Sequence, residues 1–339
     1  MKSALLIFLF SLVISVNGSA QNCFCGQTNY TEGGILDGSY SKENVATKTI
    51  VPYTYIREAD AAWSKRVWSY IDMREKINQP LYYPLDEITA NGTWITSQDK
   101  VSLWTIIRCN VLAGNIKAFS PYNVNNLFGK YDGDQLKYPI ESGFPGGNFY
   151  TDSLYRESLT SYFGRLGEQS DIPLTDEFGE PRVITLANGD KTFEYEPRDT
   201  IWYTSKDIVQ YRIKEDWIFD KNRSAIDRRI IAIAPVVLEK GVDANGNEII
   251  VGVKELFWLY FPHMRYVLNN YNVYNERNDS QWMSFDDLFW KRRFSAVIYK
   301  ESNTADRAIE SYRTGVDALL EAEKIKEEIR TVESDVWQY

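Results

Sequence analysis

Apolar positions recur at helical spacing near the end of the chain. Ile309, Tyr312, Val316, Leu319, Leu320, Ile325 and Ile329 follow a 3.6-residue repeat, with Glu and Lys filling the other faces. This predicts a helix over residues 304–332. It either packs on its own domain, the reading preferred here, or is offered to a partner. The stretch VITLANGDKTFEY, residues 183–195, centres on Asn188-Gly189. That pair tolerates positive φ at both central positions of a tight turn and predicts a hairpin. A second hairpin pairs residues 231–239 with 248–253 through a turn at 243–247. Pro and Gly interrupt the pattern at 139–148 and again across 164–181.

Two stretches read alike, and internal repeats bear on the whole fold. The first has YIREADAAW at 55–63 and IDMR at 71–74; the second has YRIKEDW at 211–217 and IDRR at 226–229. Each continues to an aromatic pair before proline, Tyr82-Tyr83-Pro84 or Tyr260-Phe261-Pro262. Each then reaches a Trp and a helix-start signal, with Ser97 as the cap in WITSQDKVSLW and Ser284 in WMSFDDLFW. The helices end near Arg108 or Arg292-Arg293 and run into short strands at 116–119 and 296–299. The implied unit is helix, aromatic-Pro turn, Ser-capped helix, strand. A serine cap accepts unpaired N–H groups at the helix start, and nearby Asp residues suit the positive end of the helix dipole. The competing reading is coincidence in a chain rich in Trp, Tyr and Asp.

The predicted fold class is α+β: two related lobes of helices and short strands, with antiparallel β-hairpins and a C-terminal helix. The divisions are a signal peptide at 1–20, a flexible N-terminal arm at 21–48, a first lobe at 49–140, a middle segment with a hairpin at 141–200, a second lobe at 201–303 and the helical tail at 304–339. The signal reading rests on Lys2, an apolar run from Ala4 to Val16, and small residues Gly18 and Ala20 before a cleavage point between Ala20 and Gln21. A mostly apolar run of thirteen residues is too short to cross about 30 Å of hydrocarbon as an anchor. Gln21 and Asn22 separate the small residues from Cys23, which argues against a lipoprotein.

Composition narrows the chemistry. The 339 residues carry 38 Lys plus Arg against 47 Asp plus Glu, a formal charge of −9. No basic stripe of the kind that tracks a phosphate backbone is visible, so nucleic acid is a poor partner. There is one histidine, His263, which nearly excludes metal chemistry of the His/Cys kind and His-based acid–base catalysis. Cys23, Cys25 and Cys109 are three in number; one bridge from Cys109 to the N-terminal pair, or none, fits the spacing. No P-loop, dinucleotide fingerprint, HExxH or nucleophile elbow occurs. Carboxylates that could be nominated for glycoside hydrolysis are Asp286-Asp287, Asp60 with Asp72, and Asp216 with Asp227; Asp60 and Asp216 recur near Arg or Lys, which better fits structural ion pairs at a helix start. Asp132 and Asp134 resemble a fragment of a calcium loop whose other ligands are missing. No catalytic constellation and no cofactor are implied.

The segment DAAWSKRVWSYIDMREKINQPLYYP, residues 60–84, closely resembles the GldN/PorN family of gliding-motility proteins, and the likeness extends through WLYFPHMR (258–265) and WKRRF (290–294). The resemblance implies a periplasmic, non-enzymatic component of the Bacteroidetes type IX secretion system. It would assemble with the outer-membrane lipoprotein GldK into a ring and contact the motor protein GldM. Asp152-Ser153-Leu154 and Asp199-Thr200-Ile201 look like the O-glycosylation sequon of such periplasmic proteins. The family supplies no residue assignments. The contact candidates therefore come from the aromatic and arginine content that interfaces favour: Trp68, Arg74, Tyr82, Tyr83 and His263. One alternative is a periplasmic carbohydrate-binding or glycoside-hydrolysing protein. The other is an exported effector, which would need a β-rich C-terminal sorting domain where this chain has its helical tail.

Overall fold

Residues 61–72 alternate rather than cycle. Trp63, Lys65, Val67, Ser69 and Ile71 share one side; Ser64, Arg66, Trp68 and Tyr70 share the other, and from Val67 to Ser69 both sides are buried. A period of two belongs to an extended strand. In the computed structural model this segment is accordingly strand β1 (Ala61–Asp72). The predicted helices over 55–74 and 211–229 are thereby corrected to strands. Lys65 and Ser69 on the inner side had disguised the alternation. The structure describes residues 49–88, 94–95, 101–125, 132–167, 172–175, 181–185, 191–195, 199–242, 248–273, 275 and 283–336. The predicted signal peptide with its cleavage point at Ala20 and Gln21, the N-terminal arm, Cys23, Cys25, Ser97, Trp282 and the turns at 186–190 and 243–247 lie outside those residues.

One antiparallel sheet organises the chain. It comprises β1, β2 (Ala118–Phe119), β3 (Pro139–Ile140), β4 (Ile208–Asp220), β5 (Ala225–Val242), β6 (Glu248–Glu255), β7 (Trp258–Tyr260) and β8 (Val297–Glu301). The order is β8-β1-β4-β5-β7-β2-β3, with β6 also on β5. Its spine is the pairing of β4 with β1 and β5, in which Glu215 faces Val67 on one side and Ile230 on the other. The outer pairings are exchanged. β8, late in the chain, pairs with β1; β7 pairs with β2, which comes early.

Between these strands the element order repeats. From β1 the chain enters α1 (Gln79–Tyr82) with Pro80 in its first turn. It then forms a two-strand ladder (Glu87–Ile88 with Trp94–Ile95), α2 (Leu103–Leu112) and β2. From β7 it enters α4 (Phe261–Leu268) with Pro262 in its first turn. A ladder (Asn272–Val273 with Met283–Ser284), α5 (Phe285–Trp290) and β8 follow. α3 (Ser153–Phe163) lies between the two runs. Proline suits a helix start because its missing N–H has no partner there anyway. The matching prolines are therefore Pro80 and Pro262; Pro84 follows α1 through a cis bond. The cap of α2 is Ser102, not Ser97, and that helix continues past Arg108. Ser284 caps α5 as expected, in a reciprocal box with Asp287. Ile71–Arg74 closes β1 whereas Ile226–Arg229 opens β5, so those two motifs are not equivalent positions. Both hairpins form: Val183–Thr185 pairs with Lys191–Phe193, and β5 with β6.

The sheet's two faces differ. On the first, Ile71, Tyr211, Ile213, Ile233 and Val237 meet the apolar sides of α1 to α5, including Trp104 against Phe163 at 5.5 Å. Farther along it, Val67, Trp217 and Ile298 receive the C-terminal helix α6 (Val316–Val336) through Ala322, Ile325 and Ile329. The predicted tail helix thus packs on its own sheet. It starts later than expected, because Gly315 takes φ +60°, a left-handed conformation that ends any continuous helix from Ile309. The second face carries Trp68, Ala232, Ala234 and Trp258 beneath the turn at 133–135. Gly133 lets that turn sit on its neighbour: a Cβ there would lie 2.3 Å from both Pro121 Cα and Ser120 O. Cys109, on α2, is half-buried.

Truncating Ile325, 3% exposed, should cost about 2–4 kcal/mol in urea unfolding as Ile325→Ala. Leu320→Ala, at 63% exposure on the same helix, should stay within about 0.5 kcal/mol of the parent. Equal losses would contradict the docking face assigned to α6.

Candidate functional site

The site with the most developed chemistry is a cavity of about 350 Å³ between the start of β5, α4 and α5. Arg265 projects from α4 and Asp286 from the first turn of α5. They meet in a buried two-pronged pair, Nε to Oδ1 at 2.7 Å and Nη2 to Oδ2 at 3.0 Å. Trp290 lies one turn beyond Asp286 on α5, so both line the same wall. From β5 come Asp227 and Arg229, paired at 2.9 Å, and Arg228 between them. Arg292, just past α5, pairs with Glu215 of β4.

The segment ahead of β1 runs along the rim. Arg265 donates to the carbonyl of Val51 at 2.8 Å and Arg229 donates to the carbonyl of Thr54. Tyr53, between them, stacks on Trp290 with ring centres 5.4 Å apart. The Arg265 guanidinium lies 4.7 Å from the Tyr53 ring centre and 4.9 Å from that of Trp290. Burial, partly offset by Arg265, pushes the Tyr53 phenol up to about 12. Four guanidiniums thus meet three carboxylates, and the one left over is Arg228. It lies 4.2 Å over the Trp217 ring and makes no ion pair or hydrogen bond with any described residue.

Residues 56–338 match the family described as "Gliding motility associated protein GldN". The chain belongs to that family. A comparison with curated proteins gives no match. The GldN-family match covers the whole sheet and every lining residue of the cavity except Tyr53. Among the described residues no helix is long and apolar enough to cross a membrane.

The residues singled out from sequence scatter. Trp68 is corrected: at 7% exposure it is buried on the sheet's second face, donating to Asp134 at 3.0 Å with Lys300 4.7 Å over its ring, and it presents nothing to a partner. Arg74 is exposed at the end of β1, 3.8 Å from Asp72. Tyr82 and Tyr83 form an edge-to-face pair at 5.0 Å, with Tyr83 48% exposed and Tyr82 packed against the main core. His263 is exposed on α4 with its ring edge-on to Tyr260 at 4.9 Å. No ring contact among the described residues joins it to the tyrosine pair.

The nominated carboxylates are engaged. Asp216 grips Arg66 at 2.6 and 2.8 Å, Asp60 takes Arg57, Asp227 takes Arg229, and Asp286 takes Arg265. The expected ion pairs are present, yet Arg66 and Asp216 face each other across β1 and β4 rather than at a helix start. Asp134 accepts from Trp68 and Lys214, and Asp132 pairs with Lys137. Among the described residues no group of three or more His, Cys, Asp or Glu is placed for a metal ion.

Arg228, Arg229, Arg265, Asp286 and Arg292 fall in separate sequence motifs, none of which includes Tyr53. Only the fold brings residues 53, 228 and 286 together, and no local spacing signals that.

The phenol of Tyr53 gives a pH prediction. Its proton is held more tightly folded than unfolded, so its contribution to stability is intact below pH 10 and falls as pH rises from 10 towards 12. Urea midpoints taken across pH 9–12 should fall less steeply over pH 10–12 in Tyr53→Phe than in the parent. Identical slopes would place the ring outside the cavity.

Proposed function

We propose that this GldN-family chain is a non-catalytic structural component of the type IX secretion and gliding machinery. It works in the periplasm, assembles with the lipoprotein GldK into a ring and contacts the motor protein GldM. The observation that carries this reading is the family match through residues 56–338. Two features of the surface support it. The β5–β6 ribbon extends beyond the rest of the sheet with Ile249, Ile250, Val251 and Val253 exposed, and α6 shows Val316, Leu319 and Leu320 to solvent. Apolar exposure of this kind accompanies interaction surfaces. The carboxylates a hydrolase would need are held in ion pairs.

A ring needs a patch on one face of the subunit that fits a different patch on the next, repeated until the rotation closes. Arg74, Tyr82, Tyr83 and His263 are the candidate contacts with GldK; Trp68 is withdrawn. The signal peptide and its cleavage between Ala20 and Gln21 belong to the same proposal, since periplasmic assembly requires export.

Light scattering on the chain alone and after co-expression with GldK tests the reading. A stable high-mass species containing both chains is expected, and a monomer unmoved by GldK would contradict it. Within such a complex, Tyr83→Ala should weaken association by more than about 1 kcal/mol if it is an anchoring contact. Unchanged association for alanine at Arg74, Tyr82, Tyr83 and His263 together would remove that assignment.

A further inference from the structure

We propose that the cavity between β5, α4 and α5 is a recognition site for a carboxylate carried on an extended peptide, an acidic segment of a partner protein, with Arg228 as the anion-binding residue. The site stands on its own geometry and does not depend on ring assembly.

Three observations converge on it. The first is the unmatched charge. Arg265, Arg229 and Arg292 each hold a carboxylate, whereas Arg228 holds only the face of Trp217. Glu215, already committed to Arg292, and Glu333 on α6 act on it from beyond ion-pair distance. Its side chain is exposed and so open to an arriving anion, and the like charge of Arg292 nearby favours one. In a chain of net charge −9 such a surplus cation is locally conspicuous. A guanidinium accepts a carboxylate through two parallel hydrogen bonds, which provides orientation as well as attraction.

The second observation is that the rim already handles a peptide. Arg265 and Arg229 hold the carbonyls of Val51 and Thr54, and the Tyr53 ring lies against Trp290. An extended backbone gripped at its carbonyls, with one aromatic side chain seated, is how this surface binds its own chain. With Arg265 and Arg229 so engaged, Arg228 is the arginine of the cavity left to meet a second chain.

The third is size and lining. At about 350 Å³ the cavity falls at the small end of the roughly 300–1,000 Å³ typical of ligand pockets. Ile226, Ile230, Phe261 and Phe289 provide apolar wall around the charged groups. That combination suits an acidic side chain flanked by apolar ones better than a bare ion.

Calorimetric titration of the whole chain with the acetylated and amidated pentapeptide Glu-Phe-Glu-Val-Glu tests this, with its Gln-Phe-Gln-Val-Gln counterpart and inorganic phosphate alongside. The parent should bind the glutamate peptide at least tenfold more tightly than the glutamine peptide. Arg228→Gln should lose at least tenfold in affinity, Arg228→Lys less, and Lys117→Gln, outside the cavity, nothing. Trp290→Ala should also weaken the peptide, which checks the aromatic wall with a second, exposed residue. Equal affinity for the two peptides, unchanged binding by Arg228→Gln, or no binding at millimolar peptide would overturn the proposal. Phosphate displacing the peptide at equal concentration would overturn the peptide part and leave a simple anion site. None of these results bears on whether GldK is a partner, so failure here and failure of the ring reading are separable.

Discussion

The structure depends on one constraint: each of the two similar runs of chain ends in a strand that pairs with the other run. β8 closes against β1 and β2 closes against β7, while β4 and β5 bind the halves along long antiparallel ladders. Neither run can satisfy its backbone groups alone, because its own edge is filled from elsewhere. The helices then follow. α1 to α5 cover the face that Ile71, Tyr211 and Ile233 make apolar, and α6 covers the end marked by Val67 and Trp217.

Charge is placed with the same economy. The second face buries Lys214 beneath Trp68, donating to the carbonyl oxygen of Asp134 at 2.7 Å and to its carboxylate at 3.3 Å. Burial lowers the proton affinity of that lysine, and Asp134 pulls it partly back. Arg212 pairs with Glu255, whose other oxygen takes the Trp258 indole N–H at 2.7 Å. A buried charge that lost its partner would be strongly destabilising, so the Lys214–Asp134 pair fixes how the turn at 133–135 sits on the sheet. Arg228, by contrast, makes no ion pair with any described residue and lies over the ring of Trp217. It lies on the opposite face, beside the aromatic cavity.

How much was legible beforehand follows from the range of each interaction. The capping box at Ser284 and Asp287 spans three residues, and both hairpins are joined by a short connection; all three were readable. The tail helix was readable from its stripe, though not the break that Gly315 imposes. β1 was misread because its inner side includes Lys65 and Ser69. Its partners begin some 150 residues later, so nothing local announces a strand buried on both faces. Trp68 was taken for surface because aromatic content alone cannot separate a core ring from a contact ring. The cavity was invisible for the same reason. Its members, from Tyr53 to Arg292, become neighbours only after the exchanged strands have closed.

The central claim is that the two runs form one cooperative unit through their exchanged strands. Native-state hydrogen exchange of the chain across a denaturant series tests this most directly, by comparing amides of β1 with those of β7. The account predicts one shared opening free energy and one denaturant dependence for both strands, equal to those of β4 and β5. Separate opening energies for β1 and β7, with each run of chain unfolding while the other stays protected, would contradict it.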